Sequence, residues 1–217
     1  DGKGKLLNEF QTAYVLPIHY RMFKHENQSK AVENLVKLVE NNEYRIGTGF
    51  PGTPYILFAL TDNGRADVAY KMLLNTLCPS WLYQVKMGAT TIWERWDGLD
   101  ENGNCPINDD GTDMMISYNH YASGAVGDFM YQRIAGIEAI EAGYRHFKVE
   151  PIIGGNLNYA KAEFESPYGI IRSNWKIKQD QLILKVEVPV GATSDIYYKK
   201  TKVASVGHGC HEWKLTL

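Results

Sequence analysis

The stretch GATTIWERWD at residues 88–97 places a carboxylate, Glu94, directly after Trp93 and before Arg95 and Trp96. Apolar rings beside a carboxylate disfavour its charge, and an adjacent guanidinium or backbone N–H restores it. A carboxylate kept ionised beside aromatic planes is the kind of group that glycoside hydrolysis uses. The apolar C–H faces of a pyranose also stack on such planes. Trp81, Tyr83, Trp93 and Trp96 all fall within residues 81–96, about twice the aromatic density of a chain that is 12% aromatic. A structural ion pair would produce the same pattern, with Glu94 bound to Arg95 or Arg45 and the tryptophans filling a corner between helix and loop. The residue types alone leave both readings open. His120 is a second candidate. Gly124, Gly127 and Tyr131 come after it at helical spacing, and two glycines on that face leave room for close approach. The alternative is a core histidine satisfied by Asn119 or a carbonyl.

The elements that must position these groups are helical in the first two-thirds of the chain. Residues 29–40 put Ala31, Leu35, Leu38 and Val39 on one face with charges opposite, and Ser29 stands as the N-cap. Residues 64–77 carry a stripe of Ala66, Ala69, Leu73 and Leu77 after the turn at Thr61–Gly64. A third helix is expected over 117–134, and another from Leu7 to Phe23 that Pro17 should kink or interrupt. Between them, 44–54 and 78–112 read as long loops rich in Gly, Pro and polar residues; loops of that length are uncommon unless functional.

Near residue 143 the period changes to alternation. Leu182, Leu184, Val186 and Val188 face inward, Ile171, Trp175 and Ile177 fit the preceding strand, and Lys178–Gln181 is a hairpin turn. Ala160, Ala162 and Phe164 alternate before a turn at Ser166–Gly169, and Trp213, Leu215 and Leu217 alternate at the end. Helices first and strands second predict two domains, α then β, rather than an interleaved fold. About five helical segments neither close a ring nor form an independent bundle, so the helical layer reads as incomplete.

Composition narrows the classes. A net charge of −2 over 217 residues, with no run of Lys or Arg, gives no footprint for nucleic acid. No apolar run approaches the roughly 20 residues of a membrane span. Three scattered cysteines (Cys78, Cys105 and Cys210) suit neither a disulfide framework nor a zinc site, and no metal or cofactor is implied.

Four motifs in order carry a resemblance. GATTIWERWD closely resembles the segment around the catalytic base of the bacterial α-L-rhamnosidases of glycoside hydrolase family 78. Residues 48–53 (TGFPGT) are similar to that family's TG-x-x-GT segment. Residues 117–128 (SYNHYASGAVGD) resemble its SYNHYAFGAVGDW segment, with Ser123 and Phe129 departing from an aromatic and a Trp. Residues 165–169 match its ESPYG turn.

The resemblance implies a partial (α/α)6 barrel over residues 1–143 and an antiparallel β-sandwich over 144–217. It also implies hydrolysis of terminal α-L-rhamnosides with inversion of configuration. Glu94 then matches the general base, His120 a contact to the bound rhamnose, and Trp93, Trp96 and Trp81 are expected to line the sugar pocket. The implied partners are a rhamnose-containing glycoside and the N-terminal remainder of the same enzyme. The family's general acid sits in a motif like DERLGW that has no match here; Asp97, Asp100, Glu101, Asp109, Asp110 and Asp113 read as loop and cap residues. The expectation is therefore a fragment with little activity alone, from an enzyme of the bacterial cytoplasm or periplasm. Two competing readings are another inverting exo-glycosidase on the same barrel and a non-catalytic carbohydrate-binding or structural module.

Overall fold

The structure, a computed structural model, describes residues 4–217. Two compact units divide after Val126. The helical unit contains α1 (Gln11–His19), α2 (His25–Asn41), α3 (Ile56–Thr61), α4 (Ala66–Leu73), α5 (Trp81–Lys86) and α6 (Tyr121–Gly124). Next come α7 (Val126–Phe129) and a π-helical turn at Met130–Ile134. Eight strands close the chain: β1 (Ile137–Ala139), β2 (His146–Val149), β3 (Tyr159–Ser166), β4 (Gly169–Lys178), β5 (Gln181–Val188), β6 (Thr193–Tyr198), β7 (Thr201–Val206) and β8 (Gly209–Thr216). Among the described residues no helix is long and apolar enough to cross a membrane.

In the helical unit, α1 packs on α2 and α3, and α3 on α4. Most of the stripe predicted on α2 is buried, Ala31, Leu35 and Val39 fully and Val32 and Val36 beside them, while Leu38 is only half-buried. The helix starts earlier than expected, with Lys24 rather than Ser29 at its N-cap, because its first turn (HENQ) has no apolar residue to register a period. The helix over 64–77 is shorter than expected. It ends at Leu73, and Leu77 is exposed. Just beyond, the Asn75 side chain donates to the Glu43 carbonyl and accepts from Leu77 N–H, competing with helical bonds. The expected loop over 78–112 holds α5, whose N-cap Ser80 accepts a hydrogen bond from Tyr83 N–H. The expected helix over 117–134 is broken into α6, α7 and the π turn. His120 precedes the first piece in extended backbone, and Gly124 and Gly127 lower the helix propensity of the residues after it.

In the second unit, one sheet has the order β1-β2-β6-β7 and the other β3-β4-β5-β8. The second is antiparallel throughout, with Trp175 opposite Leu184 and Leu184 opposite Trp213. The first departs from the expected all-antiparallel sandwich, because β2 and β6 pair in parallel. Leu182, Leu184, Val186, Val188, Ile171 and Trp175 are buried, while Leu217 is exposed and lies past the last strand. Both predicted turns form: Lys178 pairs with Gln181, and Ser166 with Gly169. Strand structure begins at Ile137, ahead of the boundary expected at 143, since three residues are too few for alternation to show.

Two polar ties fix the inner face of the antiparallel sheet. The indole N–H of Trp175 donates to the Ile134 carbonyl at 2.7 Å, and the Ser173 hydroxyl to the Ala135 carbonyl at 2.6 Å. The chain then turns through Gly136 at φ +85°, where a Cβ would meet the Pro151 nitrogen at 2.3 Å. Gly136→Ala should destabilise this unit by about 3 kcal/mol or more, combining left-handed strain with a backbone collision. Denaturant unfolding measures it.

In the other sheet Asp195 takes Lys202 at 2.8 Å, the Ser205 hydroxyl at 2.7 Å and His146 Nε2 at 3.3 Å. The Lys202 ammonium above all, then Ser205, holds the Asp195 carboxyl down at about 2. A carboxyl depressed on folding adds stability above its ordinary value and loses it as pH falls toward the folded one. Stability should therefore drop between pH 3.8 and about 2, and Asp195→Asn should flatten that part of the curve in unfolding measured against pH.

Candidate active site

Glu94 lies on the segment between α5 and α6, half-buried and outside any helix or strand. That segment is held by backbone pairing to the chain before α6: Glu94 N–H donates to the Ser117 carbonyl, and His120 N–H to the Ile92 carbonyl, each at 2.8 Å. The Thr91 hydroxyl donates to the Tyr118 carbonyl in the same antiparallel patch. Residues 92–94 and 117–120 thus form a short clamp that brings the two candidate groups, 26 positions apart, onto one piece of backbone.

The Glu94 carboxylate accepts Ser117 N–H at Oε2, 3.0 Å away, a charge-assisted bond. Among the described residues its other oxygen, Oε1, has no hydrogen-bond partner, and no cation pairs with the carboxylate. Both arginines that an ion-pair role would require are engaged elsewhere. Arg95 grips Asp97 through two bonds of 3.0 and 2.9 Å, and this guanidinium holds the Asp97 carboxyl below the usual range. Arg45 pairs with Glu43.

His120 sits at the N-cap of α6, not within a helix. Its ring stacks on Phe50, with centroids 4.3 Å apart and planes at 22°, and lies near-parallel to Tyr121 at 5.8 Å. Its Nδ1 is buried without a hydrogen-bond partner among the described residues, so it is not a satisfied core histidine. The glycines expected to give access to it face open space: a Cβ on Gly124 would meet only Ile92, at 4.0 Å, and one on Gly127 nothing within 4 Å.

The three tryptophans divide. Trp93 and Trp81 are each only 3% exposed, and the expectation that both line a pocket gives way to packing. Trp93 meets Tyr118 edge-on at 5.5 Å and approaches Gly98 so closely that a Cβ there would lie 2.9 Å from the indole. The Trp81 indole N–H donates to the Ser123 carbonyl in α6 at 2.9 Å. Trp96 is half-buried and edge-on to Trp81 at 5.6 Å, leaving part of its ring open.

Three contributors went unread in the sequence. Phe50 is held by the glycine-rich loop after α2, which α1 grips through Gln11 and Thr12. Gln11 accepts Gly47 N–H at 2.7 Å and donates to the Arg45 carbonyl at 3.2 Å, and Thr12 accepts Gly49 N–H at 3.2 Å. Cβ atoms on Gly47 and Gly52 would stand 2.9 Å from those two side chains. An aromatic isolated in such a loop was the available signal. Ser117 acts through its backbone and left none. Gln84 is fully buried on α5, where its amide meets the backbone on both sides of Glu94. A polar residue three places after a buried Trp, hence on the same helix face, was the clue.

Comparison with known proteins gives the family. Residues 1–134 match the family model for the bacterial alpha-L-rhamnosidase 6 hairpin glycosidase domain, and residues 136–210 that for the bacterial alpha-L-rhamnosidase C-terminal domain. An alpha-L-rhamnosidase of Formosa agariphila is 39% identical over 90% of this chain and 21% of its own length. One from Streptomyces avermitilis is 38% identical over 89% of this chain and 18% of its own length. The crystal structure of the Aspergillus terreus enzyme superimposes on 99% of this chain and 25% of its own, with a TM-score of 0.91 at 36% identity. The Streptomyces avermitilis enzyme complexed with L-rhamnose covers the whole of this chain and 22% of its own, with a TM-score of 0.88 at 34% identity. The chain therefore spans about a fifth of the curated relatives it matches.

Trp81 ties α5 to α6 from the buried side. Trp81→Phe keeps an aromatic ring in the core but removes the N–H that the Ser123 carbonyl accepts, so it should destabilise the helical unit by about 1–3 kcal/mol. Thermal and denaturant unfolding of the variant check this.

Proposed function

The chain belongs to the bacterial alpha-L-rhamnosidase family, and from that premise we propose that it supplies the general base for hydrolysis of terminal α-L-rhamnosides with inversion of configuration. The observation that carries this reading is the Glu94 carboxylate. One oxygen is fixed by Ser117 N–H, the other has no protein partner among the described residues, and Arg45 and Arg95 form their ion pairs with other carboxylates. A carboxylate so held can accept a proton at Oε1 from a water molecule. As that proton leaves, the water oxygen bonds to the anomeric carbon and the bond to the leaving oxygen breaks, with a second carboxyl group protonating the departing oxygen. Inversion requires base and acid to stand roughly 6.5–9.5 Å apart so that the water fits between them. The acid is proposed to come from polypeptide outside this chain, because no segment here resembles the family's acid motif.

His120 fits the role of a rhamnose contact. Its ring orientation is set by Phe50 and its backbone by Ile92, which support a fixed donor or acceptor next to the base. The exposed part of Trp96 and the Phe50 ring are the surfaces proposed for the sugar, whereas Trp81 and Trp93 support the loop from beneath. The partners come from the same reading: a rhamnose-containing glycoside and the remainder of the enzyme. The rhamnose bound by the Streptomyces avermitilis relative is in keeping with it.

Glu94→Gln in the complete enzyme tests the assignment on an aryl α-L-rhamnoside. Turnover should fall about 10²- to 10⁴-fold, the usual worth of acid–base assistance, while the melting temperature stays within a few degrees. The rhamnose first released by the unaltered enzyme should be the β-anomer by proton NMR. Undiminished turnover in the Gln variant removes Glu94 from the chemistry and leaves a non-catalytic binding role.

A further inference from the structure

Gln84 is the fully buried polar residue closest in contact to the proposed base, and no step of hydrolysis uses it. Its side chain makes a three-point grip on the backbone that carries Glu94. Oε1 accepts Trp93 N–H at 3.0 Å, and Nε2 lies 3.3 Å from the Arg95 carbonyl and 3.5 Å from the Trp93 carbonyl. The residues gripped are those immediately before and after Glu94. The main-chain carbonyl of Gln84 adds a further tie, accepting Ala89 N–H at 3.0 Å.

Only an uncharged amide meets this demand. The site presents one N–H and two carbonyls, and a carboxamide offers one acceptor and two donor hydrogens. A carboxylate would face the two carbonyls with lone pairs, and an ammonium would lack the acceptor. The platform beneath Gln84 is itself fixed. Ser80, fully buried, caps α5, and Trp81 one turn away is bonded to Ser123 in the helix that His120 caps. Helix α5 therefore holds the Glu94 half of the clamp directly through Gln84, and through Trp81 it is tied to α6, the helix that follows the other half.

We infer that Gln84 is a positioning residue for the hydrolytic step, its carboxamide fixing the peptide units on either side of Glu94 so that the free carboxylate oxygen stays in line for the attacking water. The inference rests on Glu94 being the base and names what orients it. Loss of the amide leaves the Trp93 N–H and carbonyl without these partners and the Arg95 carbonyl held only by Gly98 N–H, 3.3 Å away. The segment should then relax about the Ser117 clamp, which retains its own bonds. A displacement of about 1 Å at a reacting group lowers turnover up to about 10²-fold. None of the Gln84 side-chain hydrogen bonds goes to Phe50, Trp96 or His120, so substrate binding should be nearly unchanged.

The experiment uses the complete enzyme on an aryl α-L-rhamnoside with four variants: Gln84→Met, Gln84→Glu, Glu94→Gln and Gln84→Met combined with Glu94→Gln. Gln84→Met should lower kcat about 10- to 100-fold with KM within about threefold of the parent. Its effect should nearly vanish in the Glu94→Gln background, because a base that is already absent cannot be misplaced. Gln84→Glu keeps the acceptor for Trp93 N–H and should lose at least about tenfold in kcat, which serves as the measurement if the Met variant does not fold. Undiminished kcat in whichever variant folds, or a loss from Gln84→Met that multiplies fully with that of Glu94→Gln, overturns the positioning role. If Glu94→Gln is itself fully active, the base assignment fails instead, so the two failures are told apart.

Discussion

The site depends on a short stretch of backbone pairing outside any regular sheet. Glu94 N–H to the Ser117 carbonyl and His120 N–H to the Ile92 carbonyl are ordinary hydrogen bonds of 2.8 Å, each worth about 1 kcal/mol net in stability. Their consequence is geometric. They lock the segment after α5 to the one before α6, so a carboxylate and an imidazole on separate loops share one frame. The Glu94 side chain joins that frame by accepting Ser117 N–H, which means that the bonds orienting the carboxylate and those joining the segments are made by neighbouring atoms of the same two residues. A change that slides one strand of the clamp moves both candidate groups together.

Beyond the edge-on packing of Trp93 on Tyr118, the support of the clamp is polar and buried. Ser80 and Gln84 are fully buried, and the Trp81 N–H is aimed at a buried carbonyl. Groups of this kind are costly when unsatisfied and add little net stability when satisfied. Their use here makes sense as specification: an apolar contact tolerates sliding, whereas a carboxamide facing one N–H and two carbonyls has a single register. The glycine-rich loop that presents Phe50 has the same pattern, with Gln11 and Thr12 on α1 holding backbone N–H groups and Gly47 and Gly52 allowing their approach.

How legible each element was in the sequence depends on how it is stabilised. Helix α2 and the antiparallel strands β4 and β5 bury apolar residues at regular spacing, so periodicity reveals their existence and buried faces, though not the first turn of α2. Helix α5 is six residues long and fixed by a cap and two polar contacts, so no period betrays it. Strands β1 and β2 have three and four residues, and β2 pairs in parallel with β6 across more than forty positions, which local alternation cannot convey. At the site, Glu94 and His120 stood out by type and neighbours. The burial of Trp81 and Trp93, in contrast to the half-open Trp96, could not be read, because an indole looks the same in a one-dimensional string whether it is packed or open. Gln84 was missed for the complementary reason: a glutamine on a short helix reads as surface until the backbone it grips is in place.

The two units use charge in contrasting ways, and the contrast bears on where chemistry can sit. In the second unit Arg172 bridges Glu163 and Glu187 directly across three strands, Lys185 faces Glu212, and Asp195 collects Lys202, Ser205 and His146. Those carboxylates are consumed by their partners. Around residues 84–97 the helical unit pairs Arg95 with Asp97 and leaves Glu94 to a backbone donor. A carboxylate gripped bidentately by a guanidinium, as Asp97 is by Arg95, has both oxygens engaged, whereas one held by a single peptide N–H keeps its second oxygen open. Arg95 turns to Asp97 two residues away and, although near enough to feel the charge of Glu94, forms no ion pair with it.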